Sequence, residues 1–187
     1  MLADYAFVDD VITAKEARLI RKYCMDRVEK SLVEGRKEVE SRKSKNTFIK
    51  SDENLPKVIK DAITKILKVY FHVCQEIYNF PIETVEPIQF VEYGKGDYYD
   101  FHMDAGFGDV MDRDISASVV LSYANKYEGG GLKFRDLEQK RQPEEKIGRL
   151  IVFPSLMMHG VPPITKGKRS SLVLWGRRKF AENKKED

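Results

Sequence analysis

Three histidines occur in the 187 residues, so each can be weighed on its own. His102 belongs to His102-Met103-Asp104. In an extended segment residues two apart project to the same side, so an imidazole nitrogen and a carboxylate oxygen can converge on one point. His159 follows a run of strand character and the turn-forming Pro154-Ser155. If the two segments are sheet neighbours, His102, Asp104 and His159 make a two-histidine, one-carboxylate set that occupies one face of an octahedral metal. The open positions are what oxygen chemistry requires. A surface loop with an ordinary His and Asp is the other reading, and His-x-Asp alone does not separate the two. Ten positions after His159 stands Arg169, and the strand period puts Arg169, Ser171, Val173 and Trp175 on one face. A guanidinium and a hydroxyl pointing the same way form a fork suited to a carboxylate at the far end of a bound acid. Taken alone, Arg169 is accounted for more simply by a surface salt bridge. His72 falls within a helical pattern and reads as structural.

Helices and strands must carry these residues. Thr13-Ala14-Lys15-Glu16 has the form of a capping box, which starts a helix from about Ala14 to Val33. The polar, basic stretch from Gly35 to Lys50 reads as a surface loop leading into a short strand at Thr47–Ile49. From Asn54 onward Leu55, Val58, Ile59, Ala62, Ile63, Ile66, Leu67, Tyr70, Cys74 and Ile77 repeat at helical spacing and mark a long amphipathic helix that packs along a sheet. After Pro81 the runs Pro87–Tyr93, Ser116–Tyr123, Leu132–Phe134, Arg149–Phe153 and Ser170–Trp175 read as strands. Helices followed by strands point to an α+β, mostly β core with helices on one face. The tail from Arg177 to Asp187 looks frayed.

The length suits one domain. With 42% hydrophobic and 34% charged residues, collagenous, disordered and membrane-spanning classes are excluded. The N-terminal MLADYAFVDD lacks the basic start and apolar stretch of a secretory signal, so a cytoplasmic protein is expected. Cys24 and Cys74, the only cysteines, fall in apolar helical patterns and are expected as buried thiols. A net charge of +3 and a pI of 8.7 fall short of the balance of a dedicated nucleic-acid binder.

The chain also resembles a known family, the iron(II)- and 2-oxoglutarate-dependent dioxygenases, in their prolyl/lysyl-hydroxylase-like branch. The residues that carry the resemblance are Tyr93-Gly94-x-Gly96, Tyr99, His102-x-Asp104, Leu121-Ser122 and Tyr127-Glu128-Gly129-Gly130-Gly131-Leu132-x-Phe134. Gly148, Phe153-Pro154, His159-Gly160-Val161-x-Pro163-Ile164-Thr165-x-Gly167-x-Arg169 and Trp175 complete it, with a fainter echo in Arg42-Lys43-Ser44. It covers roughly Glu92 to Gly176.

The resemblance implies a double-stranded β-helix, or jelly roll, with the N-terminal helices packed on one sheet. One domain would then span 1–187, helical to about residue 80 and jelly roll over about 86–178. By similarity His102, Asp104 and His159 would hold Fe(II), and Arg169 would pair with the distal carboxylate of 2-oxoglutarate. Ser171 could share that carboxylate, Tyr93 and Tyr99 would approach the cosubstrate, and O2 would take the remaining metal position. Ascorbate is a further cofactor that the similarity allows. Val120 departs from the pattern, standing where several prolyl hydroxylases carry a tyrosine that contacts the cosubstrate. Branch similarity makes a protein side chain, prolyl first, the expected substrate. Segments Glu38–Lys50 and Gly106–Asp114 have the look of loops flanking the barrel mouth. Two further readings keep the fold. One is an oxidative nucleic-acid demethylase using Arg36, Lys37, Arg42, Lys43, Lys45 and Lys50 on phosphates, which the modest net charge disfavours. The other is a catalytically idle jelly-roll binding module.

Overall fold

The computed structural model describes residues 3–32, 41–50, 54–106 and 112–178. Chain order is β1 (Ala6–Val8), α1 (Ala14–Leu32), β2 (Arg42–Lys43), β3 (Lys45–Ile49), α2 (Lys57–Tyr78), β4 (Ile82–Val85), β5 (Ile88–Tyr93) and β6 (Tyr98–His102). It continues with β7 (Ile115–Val120), β8 (Tyr127–Gly129), β9 (Lys133–Phe134), β10 (Leu150–Pro154), β11 (His159–Val161), β12 (Ile164–Gly167) and β13 (Arg169–Arg178).

Local chemistry sets the helix ends. At α1 the Glu16 backbone N–H donates to Thr13 Oγ1 at 3.2 Å while the Thr13 N–H donates to Glu16 Oε2 at 2.8 Å, closing the capping box. Ala17, Ile20, Cys24 and Val28 form its buried stripe. α2 begins at Lys57 rather than Asn54 because Pro56, already fixed in φ, occupies the N-cap. It ends where Asn79 turns left-handed (φ 54°) and the Asn79 and Phe80 N–H groups close back on Gln75 O and Cys74 O. Val58 and Ile77, part of the helical pattern, lie at the edge of the stripe and are exposed, as is His72.

Seven strands form one antiparallel sheet in the order β1-β10-β7-β13-β5-β3, with β4 pairing the far end of β13. Four more form a smaller sheet, β2-β6-β11-β9, and β8 pairs β12. This is the expected mostly β, jelly-roll-type architecture. Both helices pack on one face of the large sheet, where Ile20, Ile66, Tyr70, Phe90, Val119 and Leu172 share a core. Tyr70 and Tyr78 pin α2 down, their hydroxyls donating to Ile115 O (2.7 Å) and Val152 O (2.9 Å) on neighbouring strands. The opposite face looks toward the smaller sheet and encloses the cavity described below.

Two expectations need correction. The stretch expected as a surface loop leading into a short strand at Thr47–Ile49 also carries β2, and β3 starts two residues earlier than expected, pairing with β5 over Lys45 to Ile49. Thr47 and Ile49 are buried as the alternation requires, and the cations before them mask where the strand begins. Arg177 and Arg178 are not a frayed tail: both belong to β13 and pair with β4. The rest of that tail, together with Arg36, Lys37 and the centre of the 106–114 segment, lies outside the described residues. Asp112 and Asp114, at the end of that segment, bond Arg177 and the Arg178 backbone. Among the described residues no helix is long and apolar enough to cross a membrane.

Candidate metal and cosubstrate site

His102 closes β6, His159 opens β11, and the two residues face each other in the antiparallel register of the smaller sheet. Gly160 makes that pairing tight: a Cβ there would lie 2.9 Å from Tyr99 O and 3.1 Å from Phe101 N. Asp104 follows β6, its backbone N–H donating to Ser155 O at 2.9 Å, which ties it to the turn that delivers His159. One ligand-capable atom from each of His102, Asp104 and His159 lies within 4.8 Å of the others, so the cluster could hold a metal ion.

Hydrogen bonding fixes how these groups point. His102 Nδ1 lies 2.8 Å from Asp100 O, and His159 Nδ1 lies 2.8 Å from Met157 O, in each case the carbonyl two residues earlier. A carbonyl only accepts, so both Nδ1 atoms carry the proton and, in a neutral ring, each Nε2 presents a lone pair. Those Nε2 atoms face Asp104, His102 at 3.5 Å from Oδ1 and His159 at 3.4 Å from Oδ2. Asp104 Oδ2 is buried and has no hydrogen-bond partner among the described residues. Lone pairs facing a carboxylate repel unless a cation lies between them, so the donor set fits a divalent metal. Burial holds the His159 pKa below the usual histidine range, against the pull of Asp104 and with help from His102. Burial alone would raise the Asp104 carboxyl, but the adjoining His102, His159 and Ser116 outweigh it and hold its pKa below the usual carboxylate range.

Aromatic rings hold the imidazoles in place. Tyr99 stacks on His102 with ring centroids 3.7 Å apart, and the Arg42 guanidinium lies over the Tyr99 ring at 4.7 Å. Phe153 meets His159 edge-on at 4.7 Å. On the Asp104 side, Arg113 is gripped by both oxygens of Glu86 (2.6 and 2.8 Å) and lies 4.1 Å from the Trp175 ring.

The large sheet supplies the opposite wall. Arg169, Ser171, Val173 and Trp175 of β13 line the same cavity as the His–Asp cluster, as their alternation requires, and Tyr93 of β5 joins them. Every residue singled out from the sequence for this site therefore sits on one cavity. Arg169 is 1% exposed, and its Nη1 lies 3.4 Å from Ser171 Oγ. Its other edge is occupied: Nε and Nη2 donate to Glu145 Oε2 and Oε1 at 2.8 and 2.7 Å. Sequence reasoning missed Glu145, which stands in an ordinary polar stretch. It assigned Arg42 to phosphate in the demethylase reading, whereas the side chain turns inward to Gln89 and Tyr99. The Arg42-Lys43-Ser44 echo was the available signal. Val120 is buried and packs against Ile151 and Phe153.

Comparison with known proteins gives a consistent result. Residues 88–177 match the family model described as the 2OG-Fe(II) oxygenase superfamily. A PKHD-type hydroxylase of Shewanella oneidensis is 33% identical over 99 residues, 51% of this chain and 44% of that protein, so the match spans less than half of the relative. Among solved structures, a Pseudomonas putida prolyl-4-hydroxylase superposes with a TM-score of 0.74 at 23% identity, covering 95% of this chain and 94% of that one. A viral collagen prolyl hydroxylase from Paramecium Bursaria Chlorella virus-1 gives 0.73 at 21% identity, with 95% and 97% covered. At such identities the two structures speak to the fold.

Proposed function

We propose that this chain, whose residues 88–177 match the model of the 2OG-Fe(II) oxygenase superfamily, uses Fe(II), 2-oxoglutarate and O2 to hydroxylate a protein side chain, prolyl first. One observation carries the reading: two Nδ1-anchored imidazoles aim their Nε2 lone pairs at a buried carboxylate whose Oδ2 lacks a partner among the described residues. His102, Asp104 and His159 would hold Fe(II). Bound iron and 2-oxoglutarate supply oxygen activation, with succinate and CO2 released. The chain's own residues do the positioning. Arg169 Nη1 and Ser171 Oγ present donors to the distal carboxylate of the cosubstrate. Tyr93 closes the cavity beside Arg169, and Tyr99 and Phe153 keep the two rings from turning. Val161, Val173 and Trp175 limit water at the reacting centre.

The peptide substrate rests on the names of the relatives, which include a collagen prolyl hydroxylase and a prolyl-4-hydroxylase. The inward turn of Arg42 removes one of the phosphate contacts on which the demethylase reading depended. Helices and strand core acting as a single domain belong to the same proposal, as does a reducing cytoplasmic setting, which two buried free thiols suit. The test is a peptide-library screen with Fe(II), 2-oxoglutarate and O2, read as succinate release and a product about 16 Da heavier, the mass of one oxygen atom. Succinate above the uncoupled background with a Pro-containing peptide is expected. Succinate release that no peptide stimulates would contradict the substrate assignment, and undiminished release by Asp104→Ala would contradict the site.

A further inference from the structure

Glu145 sits behind Arg169 with every lone-pair direction engaged. Its Oε1 accepts from Arg169 Nη2 and the Leu132 N–H, and its Oε2 accepts from Arg169 Nε and the Tyr127 hydroxyl. The pair is almost completely removed from water, with side-chain exposures of 2% for Arg169 and 8% for Glu145. Burial pushes the carboxyl up, but the Arg169 charge and bonds outweigh it and hold Glu145 ionised. The guanidinium that should receive the distal carboxylate of 2-oxoglutarate is thus already neutralised, and its Nη1, which Glu145 does not engage, lies beside Ser171 among the residues that line the cavity.

We infer that Glu145 is a built-in counter-charge that weakens the site's grip on the distal carboxylate and so sets the 2-oxoglutarate concentration at which the site fills. This rests on the cosubstrate assignment proposed above. A second carboxylate on the same guanidinium completes a buried minus-plus-minus triad, in which like charges one cation apart repel strongly because little water screens them. An opposing effect exists: without Glu145 the arginine loses a clamp. It is the smaller effect, because Arg169 keeps Ser171 beside its Nη1, the Tyr93 ring 5.9 Å from its guanidinium, and a backbone fixed by the pairing of β13 with β5. Glu145 touches no reacting atom and acts through Arg169, which makes it a positioning residue.

The test compares 2-oxoglutarate with 2-oxopentanoate, which keeps the metal-chelating end and lacks the distal carboxylate. Each is titrated calorimetrically into Fe(II)-loaded protein without oxygen, for wild type, Glu145→Gln and Tyr127→Phe. Wild type should prefer 2-oxoglutarate. Glu145→Gln, which keeps the side-chain shape and removes the charge, should tighten 2-oxoglutarate binding about tenfold or more while 2-oxopentanoate shifts by less than about twofold. Tyr127→Phe removes one neutral donor to Glu145 Oε2 but keeps the carboxylate charge, and should move the two constants together, each by less than about fivefold. Unchanged or weaker 2-oxoglutarate binding in Glu145→Gln, or equal shifts for both ligands, would overturn the inference. Equal binding of the two acids by wild type would instead remove the Arg169 subsite, and the inference with it.

Discussion

In the proposed site His102, Asp104 and His159 act as a unit whose members cannot substitute for one another. Replacing any of them by Ala should abolish iron-dependent turnover. Added Mn(II) should raise the Tm of wild type and leave that of Asp104→Ala unmoved, because a metal stabilises only a folded state that binds it. Arg169→Ala should weaken 2-oxoglutarate at least tenfold, roughly the effect of removing the charged partner of a buried carboxylate, and spare 2-oxopentanoate. Equal losses for both ligands in calorimetry would show that Arg169 serves packing instead. The clustering of the three candidate ligands was legible because half of its geometry is local: His102 and Asp104 are two apart on extended chain, and the motif around His159 and Arg169 supplied the rest. Glu145 was not legible. Its partner lies 24 residues away, its neighbours are ordinary polar residues, and only the closing of the barrel brings the pair together.

At the scale of elements, two glycines set how closely strands and helices approach the site. Gly160→Ala would force β11 away from β6, and because His159 and His102 are cross-strand partners the separation passes directly to the metal position. Metal affinity should fall while the far-ultraviolet spectrum stays native; unchanged affinity would show that the register has slack. Gly176 leaves room for the Tyr70 hydroxyl, which a Cβ would meet at 2.2 Å. Tyr70→Phe should cost about 1–2 kcal/mol by orphaning the bond to Ile115 O, and Gly176→Ala should cost more. The double variant should be less destabilised than the sum, since Phe removes the atom in the way; strict additivity in urea unfolding would argue against this contact. Neither residue stood out in the sequence, because a tyrosine on an apolar helix face and a glycine in a strand reveal each other only once packed. The long helix, the buried strands and most of β3 were legible because their periods survive burial, whereas β2 and the start of β3 hid among cations and β1, β4, β8 and β12 are too short to show a period.

Over the whole molecule, Cys24 and Cys74 lie on the buried faces of α1 and α2, and burial raises each thiol pKa to about 12, with Arg27 pulling Cys24 back slightly and Tyr70 doing the same for Cys74. A thiol-reactive reagent at pH 8 should therefore label neither in the folded protein and both in denaturant; rapid labelling of either in buffer would place a helix wrongly. The same shifts give a sign for alkaline stability. A folded thiol pKa above the unfolded one means that the unfolded chain loses its proton first. The stabilisation is complete below the ordinary thiol value of 9.0 and is lost progressively up to about 12. The Tm should fall steeply over that window, and Cys74→Ala should fall less steeply. The central claim is that two imidazoles and one carboxylate, carried by two paired strands of the smaller sheet and the segment that follows β6, converge on a single ferrous ion with 2-oxoglutarate across the cavity. Its most direct test is an oxygen-free titration of iron(II) into protein with excess 2-oxoglutarate, followed by the visible charge-transfer absorption. One band saturating at a single equivalent per chain and absent from Asp104→Ala is the expected result; no band in wild type, or an equal band in the variant, would contradict it.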